Sequence, residues 1–244
     1  VRVAPEVVDQ CAQTLLQRGS SASSDALGAA LARVFGESAP NPRLATRLLS
    51  KLASKGRADI AVSALEWLKA AGTEVNAFHC GAVVNACAKS GEWPRALKLL
   101  DDMLLSRMDI DTITYSAAIS ACEKGEQWQQ ALNLFDEMIR HSLKLSMVAY
   151  SATISACEKG EEWQRALAML SAMQRSHMEP SMITYSAALS ACGMCHKWEA
   201  ALSLMHDLKC QTTETDMVAH TAVITALSKD CKWEVAIRSL QDML

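Results

Sequence analysis

Between Thr112 and Ser146 the apolar positions follow two helical rhythms. Tyr115, Ala118, Ile119 and Cys122 recur at i, i+3, i+4 and i+7, and Gly125 marks the end of that run. Trp128, Ala131, Leu132, Phe135, Met138 and Ile139 then continue the same spacing until the polar stretch HSLKLS interrupts it. Each stripe is one-sided, so the segment predicts a helical hairpin that cannot bury its own apolar face. It needs a neighbour of the same kind.

That neighbour is written into the chain. ACEKGEQWQQAL at 121–132 returns as ACEKGEEWQRAL at 156–167, a step of 35 residues. The same step links Trp93, Trp128, Trp163, Trp198 and Trp233, then Cys87, Cys122, Cys157 and Cys192, then Ala96, Ala131, Ala166, Ala201 and Ala236. A fixed period of this length is the mark of a stacked repeat array. The register places full repeats at 77–111, 112–146, 147–181 and 182–216, a truncated repeat at 217–244 and a divergent one at 42–76, whose Trp67 falls out of step. Residues 1–41, with apolar-periodic stretches on either side of GSSASS, read as a degenerate N-terminal helical cap. The expected fold is all-α, a right-handed α-solenoid of helix-turn-helix repeats.

Composition narrows the chemistry. Half of the 244 residues are hydrophobic, with only ten Gly and five Pro, which suits a helical core and argues against disorder and all-β folds. The formal charge of −3 supplies no global field for a polyanion, so any such ligand must be met by local basic stripes. Nine Cys, an odd number without framework spacing, point to a reducing compartment. No apolar run reaches the roughly 18 to 20 residues that a membrane-spanning helix needs, so membrane insertion is not expected.

CGMCH at 192–196 has the form of a haem attachment site. The repeat already explains it: Cys192 continues the core Cys column, Cys195 stands where Gly125 and Gly160 stand, and His196 stands where Glu126 and Glu161 stand. No fourth zinc ligand is fixed by spacing, and the six His share no metal-binding pattern. No cofactor is expected, and no catalytic residue is assigned.

The first helix has a second side. At 100° per residue, Ile113, Ser116, Ser120 and Lys124 project within about 80° of one another, away from Tyr115, Ala118, Ile119 and Cys122. This stripe repeats as well. Its apolar member is Phe78, Ile113, Val148, Ile183 and Val218; its small member is Gly81, Ser116, Ser151, Ser186 and Thr221; its cation is Lys89, Lys124, Lys159 and Lys229, with Met194 interrupting. Aliphatic groups stack on bases, hydroxyls donate and accept, and ammonium groups neutralise phosphate.

The 35-residue period and the unit TITYSAAISACEKGEQWQQALNLFDEMIRHSLKLS resemble the pentatricopeptide repeat family, in a P-type-like array, strongly over 77–244 and weakly over 42–76. The resemblance implies an α-solenoid that binds single-stranded RNA at about one base per repeat. It implies that the apolar column wedges between bases, the small column reads base edges and the lysines meet phosphate. It also implies a second reader at the last residue of each unit, here Asp111, Ser146, Ser181 and Asp216, with Asn76 ending the divergent unit. Ser186 with Asp216 then resembles a purine-reading pair.

By the same resemblance the chain acts in organellar RNA stabilisation, processing or translation, in a chloroplast or mitochondrion, with the chloroplast weakly favoured. Partners would be single-stranded RNA and other organellar proteins, and the repeat array is expected to be non-enzymatic. The alternative is a structural protein-protein scaffold subunit of an organellar complex. A third class is a catalytic RNA-processing protein whose active domain lies beyond Leu244.

Overall fold

The computed structural model describes residues 10, 12–15, 24–35, 42–211, 217–229, 232 and 234. It divides into two compact units, Val1–Gly125 and Glu126–Leu244. Unit 1 carries α1 (Ser24–Phe35), α2 (Pro42–Ser54), α3 (Ala58–Ala70), α4 (Ala77–Ser90), α5 (Trp93–Leu105) and α6 (Thr112–Lys124). Unit 2 carries α7 (Trp128–Arg140), α8 (Met147–Lys159), α9 (Trp163–Arg175), α10 (Met182–Met194), α11 (Trp198–Gln211) and α12 (Met217–Lys229). The described residues contain helices and turns and no strand, so the fold is all-α. Of the segment read as an N-terminal cap, residues 10, 12–15 and α1 are described, and the remainder of 1–41 lies outside the described residues.

Helix boundaries follow from local chemistry. Asn76, Asp111, Ser146 and Ser181 are N-caps, each side chain accepting the N–H of the residue three positions on. At Asn76 the cap is reciprocal: its N–H donates to His79 Nδ1 at 3.1 Å. That leaves Nε2 protonated to donate to Pro42 O at 3.0 Å, so a fully buried imidazole ties the start of α4 to the start of α2. At the other ends the chain turns into the left-handed region, at Gly56, Gly72 and Gly91 and also at Arg107, Glu161, His177 and His196. Six-to-one hydrogen bonds such as Glu92 N–H to Cys87 O and Met108 N–H to Met103 O close these turns.

Packing runs between hairpins as well as within them. In unit 1, α4 lies against α2 and α6, with α3 and α5 on its other side. In unit 2, α10 lies against α8 and α12, and α9 and α11 complete the layer. The core of unit 2 is continuous from Leu132 through Ile154, Tyr185 and Leu189 to Leu227. The ring of Phe135 meets that of Tyr150 edge-on at 5.0 Å, and Gln174 Nε2 donates to Tyr185 OH at 2.9 Å. Trp67, out of step in the sequence, packs against Phe35 of α1 with ring centroids 6.1 Å apart, so it serves the segment before the regular array.

The paired columns of Trp and Gly have one cause. Gly125 and Gly160 end their helices with φ of −81° and −89°, which any residue adopts, so neither is there for backbone freedom. A Cβ on Gly125 would overlap the Trp93 ring, and a Cβ on Gly160 would overlap the Trp128 ring. Trp93 and Trp128, at the starts of their second helices, thus lie on the first-helix ends of the following repeats. Ala58 stands where the preceding Trp would be for Ser90, and there a side chain is accommodated while the glycine moves to the left-handed site at Gly91.

Replacing Gly160 by Ala should therefore destabilise by about 1–3 kcal/mol through overpacking. The double variant with Trp128→Ala should cost less than the sum of the two single changes in chemical denaturation.

Burial pushes the thiols of Cys87, Cys122, Cys157 and Cys192 up to about 11, because the thiolate would lose its water. The unfolded chain ionises first, so this contribution to stability is complete below the free-thiol pKa of about 8.5 and is lost as pH rises toward 11. Melting temperature should fall over that window less steeply in Cys122→Ala and Cys157→Ala than in the parent chain.

Candidate nucleic-acid interface

In unit 1 the first helices α2, α4 and α6 frame a groove of about 680 Å³. Phe78 and Ile113 line it, together with Gly81, Asn76, Asp111 and Thr46. The two apolar side chains are 74% and 71% exposed. In unit 2 the equivalent Ile183 is 73% exposed and Val148 56%. Single exposed hydrophobics are ordinary, but large ones at one helical register, repeated at 35-residue steps, constitute a surface. Asp216 and the side chains of Val218 and Lys229 lie outside the described residues.

The small column is more recessed than a helical wheel implies. Ser116 is buried and donates to Thr112 O at 2.7 Å, and half-buried Ser151 donates to Val148 O at 3.2 Å. Exposed Thr221 donates to Met217 O at 2.7 Å. These hydroxyls spend their protons on their own helices and keep lone pairs to accept with. Ser186 differs, since its buried Oγ has no hydrogen-bond partner. Such an orphan costs about 1–3 kcal/mol. At Gly81 a Cβ would stand 2.8 Å from Thr114 Oγ1, so the absence of a side chain is what lets α4 and α6 approach.

The terminal column has structural work of its own. Asp111 Oδ1 accepts both Thr114 N–H, at 2.8 Å, and Thr114 Oγ1, at 2.7 Å. Ser146 and Ser181 accept from Ala149 N–H and Thr184 N–H at 3.1 and 3.3 Å. The resemblance that assigns these residues as readers says nothing of a cap. Asp, Asn or Ser just before an apolar-periodic run was the available signal for an N-cap.

The lysines are also engaged. Lys89 Nζ donates to Ser54 O at 3.1 Å, and Lys124 Nζ donates to Lys89 O at 3.3 Å, each across one 35-residue step. Each ammonium caps the carbonyl end of the preceding first helix, where the helix dipole favours a cation. Both side chains stay exposed, with two further N–H donors each. Lys89 lies eleven residues beyond Phe78, about 16 Å along the helix axis, so the apolar and cationic columns occupy opposite ends of the first helices. Lys159, at the end of α8, is exposed as well.

CGMCH resolves into packing. Cys192 is fully buried, Cys195 Sγ donates to Glu161 O at 2.9 Å, and His196 takes the left-handed turn with φ of 58°. No group of three or more His, Cys, Asp or Glu is arranged to hold a metal ion among the described residues. No helix among them is long and apolar enough to cross a membrane.

Lys124→Met should lower stability by about 0.3–1 kcal/mol at low ionic strength, through loss of the contact with the α4 terminus, and by less at high salt. Thermal melts at the two ionic strengths measure the difference.

The family model described as pentatricopeptide repeat-containing protein matches residues 44–168, and a PPR repeat model matches 183–211. No curated protein sequence matches. The solved structure of the pentatricopeptide repeat protein PPR10 from maize superposes with a TM-score of 0.65 at 22% identity, covering 95% of this chain and 36% of that one. PPR10 in complex with an 18-nt psaJ RNA element gives 0.60, also at 22% identity, over 95% of this chain and 32% of that one. The PPR domain of Arabidopsis thaliana protein-only RNase P 1 in complex with tRNA gives 0.66 at 11% identity, over 76% of this chain and 98% of that domain. The chain thus spans about a third of the PPR10 chains. With the family model matching just over half of its residues, in the region where first helices stack on first helices, this chain belongs to the pentatricopeptide repeat family.

Proposed function

We propose that this protein holds single-stranded RNA against the first-helix face of its hairpins, at about one base per repeat, with occupancy itself as the mechanism. Phe78, Ile113, Val148, Ile183 and Val218 wedge between bases. Gly81, Ser116, Ser151, Ser186 and Thr221, with Asp111, Ser146, Ser181 and Asp216, face base edges. Lys89, Lys124, Lys159 and Lys229 meet phosphate. Bound RNA is masked from nucleases, kept from folding on itself or positioned for another factor. The setting is organellar RNA stabilisation, processing or translation in a chloroplast or mitochondrion, and the repeat array binds without catalysing.

The observation that carries this reading is the exposure of Phe78 and Ile113 in one groove with Gly81, Asn76 and Asp111. Leaving two large apolar side chains in water is unfavourable at about 25 cal/mol per Å², and stacked bases would remove that cost. PPR10 in complex with an RNA element and the PPR domain of the RNase P protein in complex with tRNA support the same assignment. A protein-binding scaffold is the competing reading, favoured by Asp109 and Asp111 at the groove and by the net charge of −3.

Fluorescence anisotropy with a random single-stranded RNA pool separates the two. RNA should bind with an affinity that falls with salt, by about 0.7 in log–log slope per neutralised phosphate. Phe78→Ala should weaken it by about 1–3 kcal/mol, the value of one base stacked on an aromatic side chain, and Ile113→Ala by less, both without changing thermal stability. Affinity untouched by either change would favour the scaffold.

A further inference from the structure

Methionine is divided between two environments in this chain. Met103, Met138 and Met173, at equivalent places on three second helices, are buried in the core, and so is Met205. The first helices of unit 2 carry methionine at the surface instead. Met147 and Met217 open α8 and α12 and are 47% and 70% exposed, and Met194, the last residue of α10, is 41% exposed. Met182, which opens α10 at the same register, is half-buried against the core, as is Met169. Met194 and Met217 line one pocket of about 390 Å³ with Ser190, Thr221 and Thr225, ample room for a small dissolved molecule to reach either sulfur.

Exposure decides what a thioether meets. A buried one is reached only when the core opens, whereas an exposed one meets any oxidant in solution. The core thiols of unit 2 compete poorly for such an oxidant. Cys157 and Cys192 are fully buried, and burial pushes both up to about 11, so little reactive thiolate is present near neutral pH. Oxidation turns the flexible, apolar methionine side chain into a polar, chiral one. Met147 and Met217 directly precede Val148 and Val218 in the chain. A sulfoxide at either place sets a hydrated dipole beside the apolar column, and a ligand packed there has to strip that dipole of water.

We propose that Met147, Met194 and Met217 are oxidative modification sites, where hydrogen peroxide forms sulfoxides that loosen the protein's hold on its ligand. The sulfur lone pair attacks one peroxide oxygen, and an S–O bond forms as the O–O bond breaks. Sulfur is oxidised by two electrons and the peroxide is reduced. The departing hydroxide takes the proton from the transferred oxygen and leaves as water. A sulfoxide reductase supplied with a dithiol reverses the change. The effect on binding rests on the RNA reading given above, whereas the order in which the methionines oxidise does not.

The test treats the full chain with hydrogen peroxide over a time course. Peptide mass spectrometry reads the oxygen added at each methionine, and anisotropy with a fluorescein-labelled random single-stranded RNA reads binding. Met147, Met194 and Met217 should oxidise before Met103, Met138, Met173 and Met205. As they do, RNA affinity should fall by about threefold or more, the scale of losing favourable thioether contacts, while the melting temperature holds. Sulfoxide reductases for both epimers, with dithiothreitol, should restore it. The triple variant Met147→Leu, Met194→Leu, Met217→Leu should bind RNA like the untreated parent and keep its affinity through the treatment. Equal oxidation of exposed and buried methionines overturns the proposal. So does full oxidation of the three sites with affinity unchanged, or an equal loss of affinity in the triple variant. A parent chain that binds no RNA removes the RNA reading, and the order of oxidation then decides by itself whether these three sites are the reactive ones.

Discussion

Everything in this protein depends on the inability of a single helical hairpin to bury its own apolar stripe. Each first helix is apolar on the side that meets the helices before and after it, and within each unit those faces are satisfied only by stacking. The stacking is exacting at one contact. Trp128 lies where the Cβ of residue 160 would be, and Trp93 where that of residue 125 would be, so at these two contacts a large ring in one repeat requires the smallest residue in the next, whereas Cys195 stands at the equivalent place after Trp163. The 35-residue spacing of both columns records that dependence. Because interiors are close-packed, a contact of this kind tolerates little drift in register.

The stacking also sets what the first-helix face can offer. Lys89 and Lys124 reach back one repeat to the carbonyl ends of the preceding helices, and Asp111, Ser146 and Ser181 hold the amino ends of the helices that follow them. The residues proposed to meet RNA are therefore the ones that finish the helix termini. One consequence is preorganisation: an ammonium already fixed at a helix end, or a carboxylate fixed at a cap, loses less side-chain freedom when a ligand arrives. Another is that affinity and stability are coupled at these positions. The exposed apolar residues carry no such dual duty. Phe78 and Ile113 extend into the groove, which makes them cleaner reporters of binding than any lysine.

Much of the fold was legible because the chain states it repeatedly. Helices starting at Ala77, Thr112, Met147 and Met182 each have an N-cap residue ahead of an apolar-periodic run, a purely local signal that the chain carries although the resemblance assigns those residues a recognition role instead. The apolar wedge column was legible too, since the helical wheel sets Ile113 apart from Tyr115 and Cys122. Less accessible was the depth of the small column. Ser116 and Ser120 share a wheel sector with Ile113, yet Ser116 is buried and Ile113 is not, because how far a neighbouring helix overlaps that sector depends on interhelical approach.

The amino-acid sequence by itself determined the period, the helical hairpin and which face of each helix is apolar, because these are set by spacing along one chain and by side chains acting within a turn or two. Only the tertiary structure decided why Gly125 and Gly160 are glycine, where Lys89 and Lys124 place their ammonium groups, and that Ser186 keeps an unpaired hydroxyl while Ser116 does not. The glycine and lysine contacts join residues about 35 positions apart, and their geometry exists only once one hairpin has settled on the next.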